Sequence, residues 1–70
     1  MSVGRELQTR LKGHNLNYNW LIAELYKRGV MTDKTEISAV FAGTRRGQKV
    51  DTILETTRII LDDYEQKFLC

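Results

Sequence analysis

The sequence predicts an all-α domain of four or five helices. Apolar residues recur at intervals of three, four and seven, which is the spacing of one helical face, and no stretch shows sustained alternation of apolar and polar residues. The chain has no proline, and glycine and asparagine fall between the periodic segments. Seventy residues can enclose one hydrophobic core, so we expect a single domain over residues 1–70.

The first two predicted helices are separated by the asparagine-rich run NLNYN. The first spans Val3–His14, ends near Gly13 and turns Leu7 and Leu11 inward, because residues four apart share a face. Asn17 is the predicted N-cap of the second helix, since an asparagine side chain can accept a hydrogen bond from a first-turn amide.

The second helix is predicted over Tyr18–Arg28. Gly29 ends it, as a residue able to take the left-handed conformation. The broad apolar stripe of this helix places Trp20 in the core rather than on a base-stacking surface. Its other members are Leu21, Ala23, Leu25 and Tyr26.

The third helix has a clear start signal, and the fourth begins near Gln48. In the run DKTE, Asp33 and Glu36 match a capping box, in which each side chain accepts from the other residue's amide, and the helix they open ends at Gly43. The fourth spans about 48–67, and Thr56–Thr57, a pair of weak helix formers, permits a bend or a break. The residues expected to face the core in the third helix are Ile37, Val40 and Phe41. The apolar set of the fourth helix is wider than one small bundle needs, and its members are Val50, Ile53, Leu54, Ile60, Leu61, Tyr64 and Phe68.

Charge is unevenly distributed along the chain. Residues 1–50 hold nine Lys and Arg against four Asp and Glu, whereas residues 51–70 hold two against five. The net charge is only +2. The asymmetry nevertheless indicates a basic working surface and a separate acidic element.

Several function classes lack the residues they need. There is no metalloprotease, phosphate-loop or hydrolase motif, so we expect no enzyme activity, no cofactor, no metal and no small-molecule substrate. His14 fits a surface position at a helix end better than a catalytic base, and Asp62 and Asp63 point about 100° apart on a helix. Cys70 is the only cysteine, so no intrachain disulfide can form. The sequence shows neither a signal pattern nor an apolar run of membrane-spanning length, which favours the cytoplasm.

The predicted second and third helices are short and are joined by a glycine-containing turn. The third helix has polar residues near its start and is followed by a basic loop. This is the layout of a helix-turn-helix. The run NYNWLIAELYKRGVMTDKTEISAVFAGTRRG resembles the helix-turn-helix of the phage repressor and Cro (XRE-type) family, although Ile22 stands where alanine is usual and the second helix and turn are longer. The motif positions that carry the resemblance are the cap Asn17, core residues Leu21 and Leu25, turn residue Gly29, the pair Ile37–Ser38 and the exit Gly43 with Arg45 and Arg46.

The resemblance implies a λ-repressor-like domain that binds double-stranded DNA, as a small phage or mobile-element transcription regulator. In this arrangement the first turns of the third helix contact base edges, and flanking groups hold phosphates. The predicted base contacts are Lys34, Thr35, Ser38 and Ala39. The predicted phosphate contacts are Asn17, Tyr18, Asn19, Thr44, Arg45, Arg46 and Lys49.

A homodimer is expected, because regulators of this design place two copies on neighbouring half-sites. The apolar stripe of the fourth helix is wider than one small core needs, and surplus apolar surface marks interfaces. The predicted interface residues are Ile59, Ile60, Tyr64 and Phe68. The alternative is a helical protein-interaction module, in which the acidic last helix or the basic face binds a protein partner, because fold does not fix function.

Overall fold

Four α-helices make up the described part of the chain. The computed structural model describes the backbone of residues 3–69 and the side chains of residues 4–67. The helices are α1 (Val3–Gly13), α2 (Tyr18–Lys27), α3 (Lys34–Ala42) and α4 (Gln48–Leu69), with no strand within residues 3–69. The all-α prediction is therefore confirmed, and each predicted helix boundary lies within two residues of the observed one.

The first three helices end in the same way. Each is followed by a residue in the left-handed region, at Asn15 (φ 59°), Gly29 (φ 84°) and Gly43 (φ 78°). The next amide in the chain then donates to a carbonyl five residues back, as in Val30 N–H to Leu25 at 2.9 Å. The predicted roles of Gly29 and Gly43 are confirmed, and α1 ends at Gly13 as predicted, two residues before the left-handed Asn15.

The predicted N-caps of α2 and α3 are present. Asn17 Oδ1 accepts from the Trp20 amide at 2.8 Å, and Asp33 Oδ1 accepts from the Glu36 amide at 2.7 Å. The reciprocal half of the predicted capping box is wrong, because the Glu36 carboxylate accepts from the Thr32 hydroxyl instead, at 2.6 Å. The Glu36 carboxylate also lies near Arg45 and Lys49, which follow α3 in the chain.

One core joins all four helices. α1 and α2 each pack against both α3 and α4. The α2 stripe is narrower than predicted, because Trp20 is only half-buried and Ala23 and Tyr26 are exposed. Within residues 4–67, ten apolar side chains are buried, and they include the predicted core residues of α1 and α3 together with Leu21 and Leu25 of α2. They are Leu7, Leu11, Leu21, Leu25, Ile37, Val40, Phe41, Ile53, Ile60 and Leu61.

Gly4 lets α1 approach the backbone of α3. An added Cβ at this position would lie 3.2 Å from the Cα and carbonyl oxygen of Phe41 and from the carbonyl oxygen of Val40. These are backbone atoms, which cannot rotate out of the way as a side chain can. A side chain at position 4 would thus separate the two helices that carry much of the core.

The fourth helix is continuous through Thr56–Thr57. Thr57 is fully buried, and its hydroxyl donates to the Ile53 carbonyl at 2.7 Å, so the buried oxygen has a partner without breaking the helix. The 22 residues of α4 give a length of about 33 Å at 1.5 Å per residue, which accounts for the 35 Å long dimension of the domain.

Candidate nucleic-acid interface

The outer face of α3 is polar and accessible. Because Ile37, Val40 and Phe41 turn inward, the residues between them point outward. The four predicted base-contacting residues come together here, with Lys34, Thr35 and Ser38 exposed and Ala39 half-buried. They line a shallow groove whose other walls are Tyr18, Ala42 and Thr44.

Tyr18 lies where α1, α2 and α3 meet. Its ring centroid is 5.6 Å from that of Phe41, and its hydroxyl oxygen accepts from Gln8 Nε2 at 2.8 Å. Because Gln8 supplies the donor in this hydrogen bond, the Tyr18 hydroxyl keeps its own hydrogen for an outside acceptor. The packed ring and the bond to α1 fix the position of that hydroxyl at the edge of the α3 groove.

A second groove continues from the first past the start of α2. Lys34 and Tyr18 belong to both grooves, and the second also includes Lys12, Asn17 and Asn19. Asn19 is exposed, as its predicted phosphate contact requires. The Asn17 side-chain oxygen is engaged as the α2 N-cap, which leaves its amide NH2 as the group that can donate outward.

Thr44, a predicted phosphate contact, lies exposed at the end of α3. A phosphate oxygen needs a donor, and both donors of Thr44 are engaged at the end of α3. Its amide and its hydroxyl each donate to the Ala39 carbonyl at 3.1 Å. Thr44 therefore closes the C-terminus of α3.

Glu36 forms ion pairs with two of the predicted phosphate-contacting cations. Its carboxylate lies 3.1 Å from Lys49 Nζ and 3.6 Å from Arg45 Nη1. The hydrogen bond from Thr32, followed by that from Lys49, lowers the pKa of Glu36 below its usual value. The carboxylate thus stays ionised and neutralises part of the charge of this loop.

Three cations near α3 remain without an ion pair. Lys34, Arg46 and Lys12 are exposed, and none of them lies within salt-bridge distance of a carboxylate among the side chains of residues 4–67. Lys34 and Arg46 stand at the start of α3 and beyond its end, and Lys12 borders the second groove. We call these three residues the free cations.

The acidic half of α4 is engaged with α1. Arg10 Nη2 lies 2.7 Å from Asp62 Oδ1 and 3.0 Å from Glu65 Oε1, and His14 Nε2 lies 3.0 Å from Glu65 Oε2. The hydrogen bond to Glu65 raises the pKa of Arg10, and the same bond lowers the pKa of Glu65. Asp63 pairs more loosely with Arg28, at 3.8 Å. These contacts hold α4 to the rest of the domain.

The predicted dimer interface is partly wrong. Ile60 is 2% exposed and belongs to the core, so it cannot contact a second chain. Tyr64 is half-buried and packs edge-to-face on Trp20 and His14, at centroid distances of 5.5 and 5.2 Å. Ile59 is 44% exposed. Phe68 lies outside the described side chains, as does Cys70.

Sequence reasoning missed three residues of this surface. Gln8 and Lys12 belong to α1, which no motif marks as part of the site, although their charge and polarity place them on its outer face. The spacing of Glu36 from Asp33 indicates only a cap. The contact of Glu36 with Lys49 joins residues thirteen apart and has no local signal.

Comparison with protein-family models, curated proteins and solved structures found no match. Within the described residues, no helix is long and apolar enough to cross a membrane. That part of the chain also holds no group of three or more His, Cys, Asp or Glu placed to bind a metal ion.

Proposed function

We propose that the chain binds double-stranded DNA sequence-specifically, as a small repressor-like transcription regulator. The observation that carries the proposal is the polar face of α3 with an unpaired cation at each end, Lys34 and Arg46. The segment from α2 to α3 then acts as a helix-turn-helix, with α3 in the major groove, Lys34 at the base edges, and Arg46 and Lys12 on phosphates.

Dimensions and charge support this mode of binding. α3 has nine residues, about 14 Å of helix, and the major groove is about 12 Å wide. Side chains at its first turns, Lys34, Thr35 and Ser38, are donors that can reach base edges. Three acidic residues of α4, Asp62, Asp63 and Glu65, pair with Arg10, Arg28 and His14. Among the described residues, no Asp or Glu lines either of the two α3 grooves.

Salt-dependent binding tests the proposal. Fluorescence anisotropy with a random-sequence duplex should show binding that weakens steeply as salt rises, because phosphate contacts release counterions. Arg46→Gln should weaken binding and reduce the slope of log K against log salt by about 0.9, the value for one lost phosphate contact. Lys67→Gln removes the same charge from the far end of α4 and should change neither quantity. Equal effects of the two variants, or no binding to any duplex at low salt, would refute the proposal.

Base readout requires a different assay. Duplexes selected from a random pool by the wild-type protein should share a sequence, and Ser38→Ala or Lys34→Ala should change that preference, by about 1–3 kcal/mol for each lost base contact. Arg46→Ala should weaken binding to all selected duplexes about equally. A pool that shows no enrichment would leave only sequence-independent binding.

The proposal includes a homodimer on DNA, because a nine-residue recognition helix contacts only a few base pairs. Of the predicted interface residues whose side chains the structure describes, Ile59 is the most exposed, at 44%. Sedimentation equilibrium at micromolar concentration, with and without a palindromic duplex, should give two chains per duplex. A monomer that binds the palindrome no better than a half-site would contradict this part of the proposal.

Binding of a protein partner is a second candidate function. It is favoured by Tyr26 and Met31, large apolar side chains that are 65% and 67% exposed around the end of α2. On this hypothesis Tyr26→Ser with Met31→Ser abolishes capture of the partner, whereas Arg45→Ala with Arg46→Ala leaves it intact. The opposite result would favour DNA.

A further inference from the structure

Glu36 occupies a special position among the charges near α3. It is the one carboxylate within salt-bridge distance of both Arg45 and Lys49 in the part of the chain that the structure describes. Its side chain is 18% exposed, whereas the two cations are 53% and 60% exposed. The carboxylate is thus held against the protein, while the groups it pairs with reach into solvent.

The position of Glu36 is fixed from two sides. Its backbone amide donates to Asp33 at 2.7 Å, and its carboxylate accepts from the Thr32 hydroxyl at 2.6 Å. A phosphate that approaches Arg45 or Lys49 therefore competes with a carboxylate that is already in place and ionised. When Arg45 or Lys49 binds a phosphate, it loses part of its favourable interaction with Glu36. The net free energy gained from the phosphate contact is smaller by that amount.

We propose that Glu36 competes with DNA phosphate for Arg45 and Lys49, and so limits the sequence-independent affinity of the α3 surface. This inference rests on the proposed DNA binding and assigns a specificity role to a residue that contacts no base. Sequence-independent binding comes from phosphate contacts, so weakening those contacts raises the relative weight of base readout.

The variant Glu36→Gln removes the charge and keeps an oxygen that can accept from Thr32. With a random-sequence duplex at about 50 mM salt, we expect binding about threefold or more tighter than wild type, since each exposed ion pair released is a modest effect. The slope of log K against log salt should steepen by about 1 to 2, as one or two cations become available to phosphate.

Two controls isolate the mechanism. Glu24→Gln makes the same charge change and releases Lys27, which lies 3.0 Å from Glu24 on α2, so it tests the effect of net charge alone. Glu36→Gln is also introduced into a protein that carries Arg45→Gln and Lys49→Gln. If Glu36 acts through these two cations, the increase in affinity disappears in that background.

A measurement on the wild-type protein does not depend on any variant folding. When duplex is added, phosphate takes Arg45 and Lys49, so the pKa of Glu36 should rise toward its usual range, as followed by the NMR shift of its carboxyl carbon. An unchanged pKa in the DNA complex overturns the inference.

The outcomes separate this inference from the proposed function. If wild type binds duplex and Glu36→Gln binds no more tightly, or Glu24→Gln tightens binding as much, the role of Glu36 is refuted while DNA binding stands. If Glu36→Gln still raises the affinity in the background that carries Arg45→Gln and Lys49→Gln, the proposed role of Glu36 is refuted as well. If neither wild type nor Glu36→Gln binds any duplex, both proposals fail.

Discussion

Replacing Phe41 with alanine should bring the domain close to its unfolding midpoint. The side chain is 4% exposed and packs against the ring of Tyr18. A buried aromatic side chain removes about 150–250 Å² from water, worth about 4–6 kcal/mol at roughly 25 cal/mol per Å². Alanine keeps part of that burial, so we expect a loss of about 3–5 kcal/mol. A chain of this length has a total stability of about 3.5–10 kcal/mol.

Urea unfolding followed by circular dichroism and by Trp20 fluorescence measures the loss. Trp20 is a suitable reporter, because it is half-buried and packs edge-to-face on Tyr64 across the α2–α4 contact. Tyr26→Ala is the matched control, since this aromatic side chain is 65% exposed. It should change the free energy of unfolding by less than about 0.5 kcal/mol.

The conservative variant adds a second check. Phe41→Leu keeps much of the apolar volume, so it should lower the free energy of unfolding by less than Phe41→Ala does. The protein should stay folded, and the position of Tyr18 can then be measured in it. A loss below about 1 kcal/mol for Phe41→Ala, far under the usual cost of removing a buried aromatic ring, would refute the assignment of Phe41 to the core. So would equal losses for Phe41→Ala and Tyr26→Ala.

The remaining predictions concern close packing and ionisation. Gly4→Ala should destabilise the domain, because the new Cβ meets three backbone atoms of α3 at 3.2 Å; Gly13→Ala meets nothing within 4 Å and should be neutral or stabilising by up to about 1 kcal/mol. Thermal unfolding of both variants tests this pair. Gly43→Ala should cost about 1–2 kcal/mol in the same assay, because alanine is strained at a φ of 78°. Lowered pKa values of Glu36 and Glu65 mean that the unfolded chain binds protons more readily, so stability should fall as pH drops below about 4.5, as measured by urea midpoints.

Each of these has a result that contradicts it. If Gly4→Ala is as stable as Gly13→Ala, the close approach of α1 to α3 is absent in solution. If Gly43→Ala costs nothing, the left-handed ending of α3 is not required. Glu65→Gln should flatten the acid limb of the stability curve, and an unchanged limb would show that the contact with Arg10 does not stabilise the fold.

Most helix boundaries could be predicted from the sequence because local signals determine them. Asn17 and Asp33 can cap the helices that follow them whatever the rest of the chain does, and Gly29 and Gly43 tolerate the left-handed conformation better than other residues. Helical spacing likewise identifies Ile37 as a core residue, since the burial of one face needs no knowledge of its partner.

Contacts between distant segments have no such signal. Asn15 and Gly13 both fit the end of α1, and the choice depends on how the following Leu16 packs against the core. Gly4 looks like an ordinary helical residue in the sequence. A side chain is excluded there only because the backbone of α3 lies close by, and α3 is distant in the sequence. The interface prediction for Ile60 is wrong because the sequence does not show how much of α4 the other three helices cover.

The sequence also does not show which charged residues pair with one another in the fold, and this pairing bears directly on function. Counting along the chain indicates a basic first part and an acidic end, yet Arg10 from the first part is neutralised by Glu65 from the second, and Glu36 neutralises part of the basic loop. Among the described side chains around α3, this pairing leaves Lys34, Arg46 and Lys12 without an ion pair, whereas Arg45 and Lys49 are shared with Glu36. A net charge of +2 is therefore compatible with binding a polyanion, because the local field of unpaired cations, and not the total, attracts phosphate.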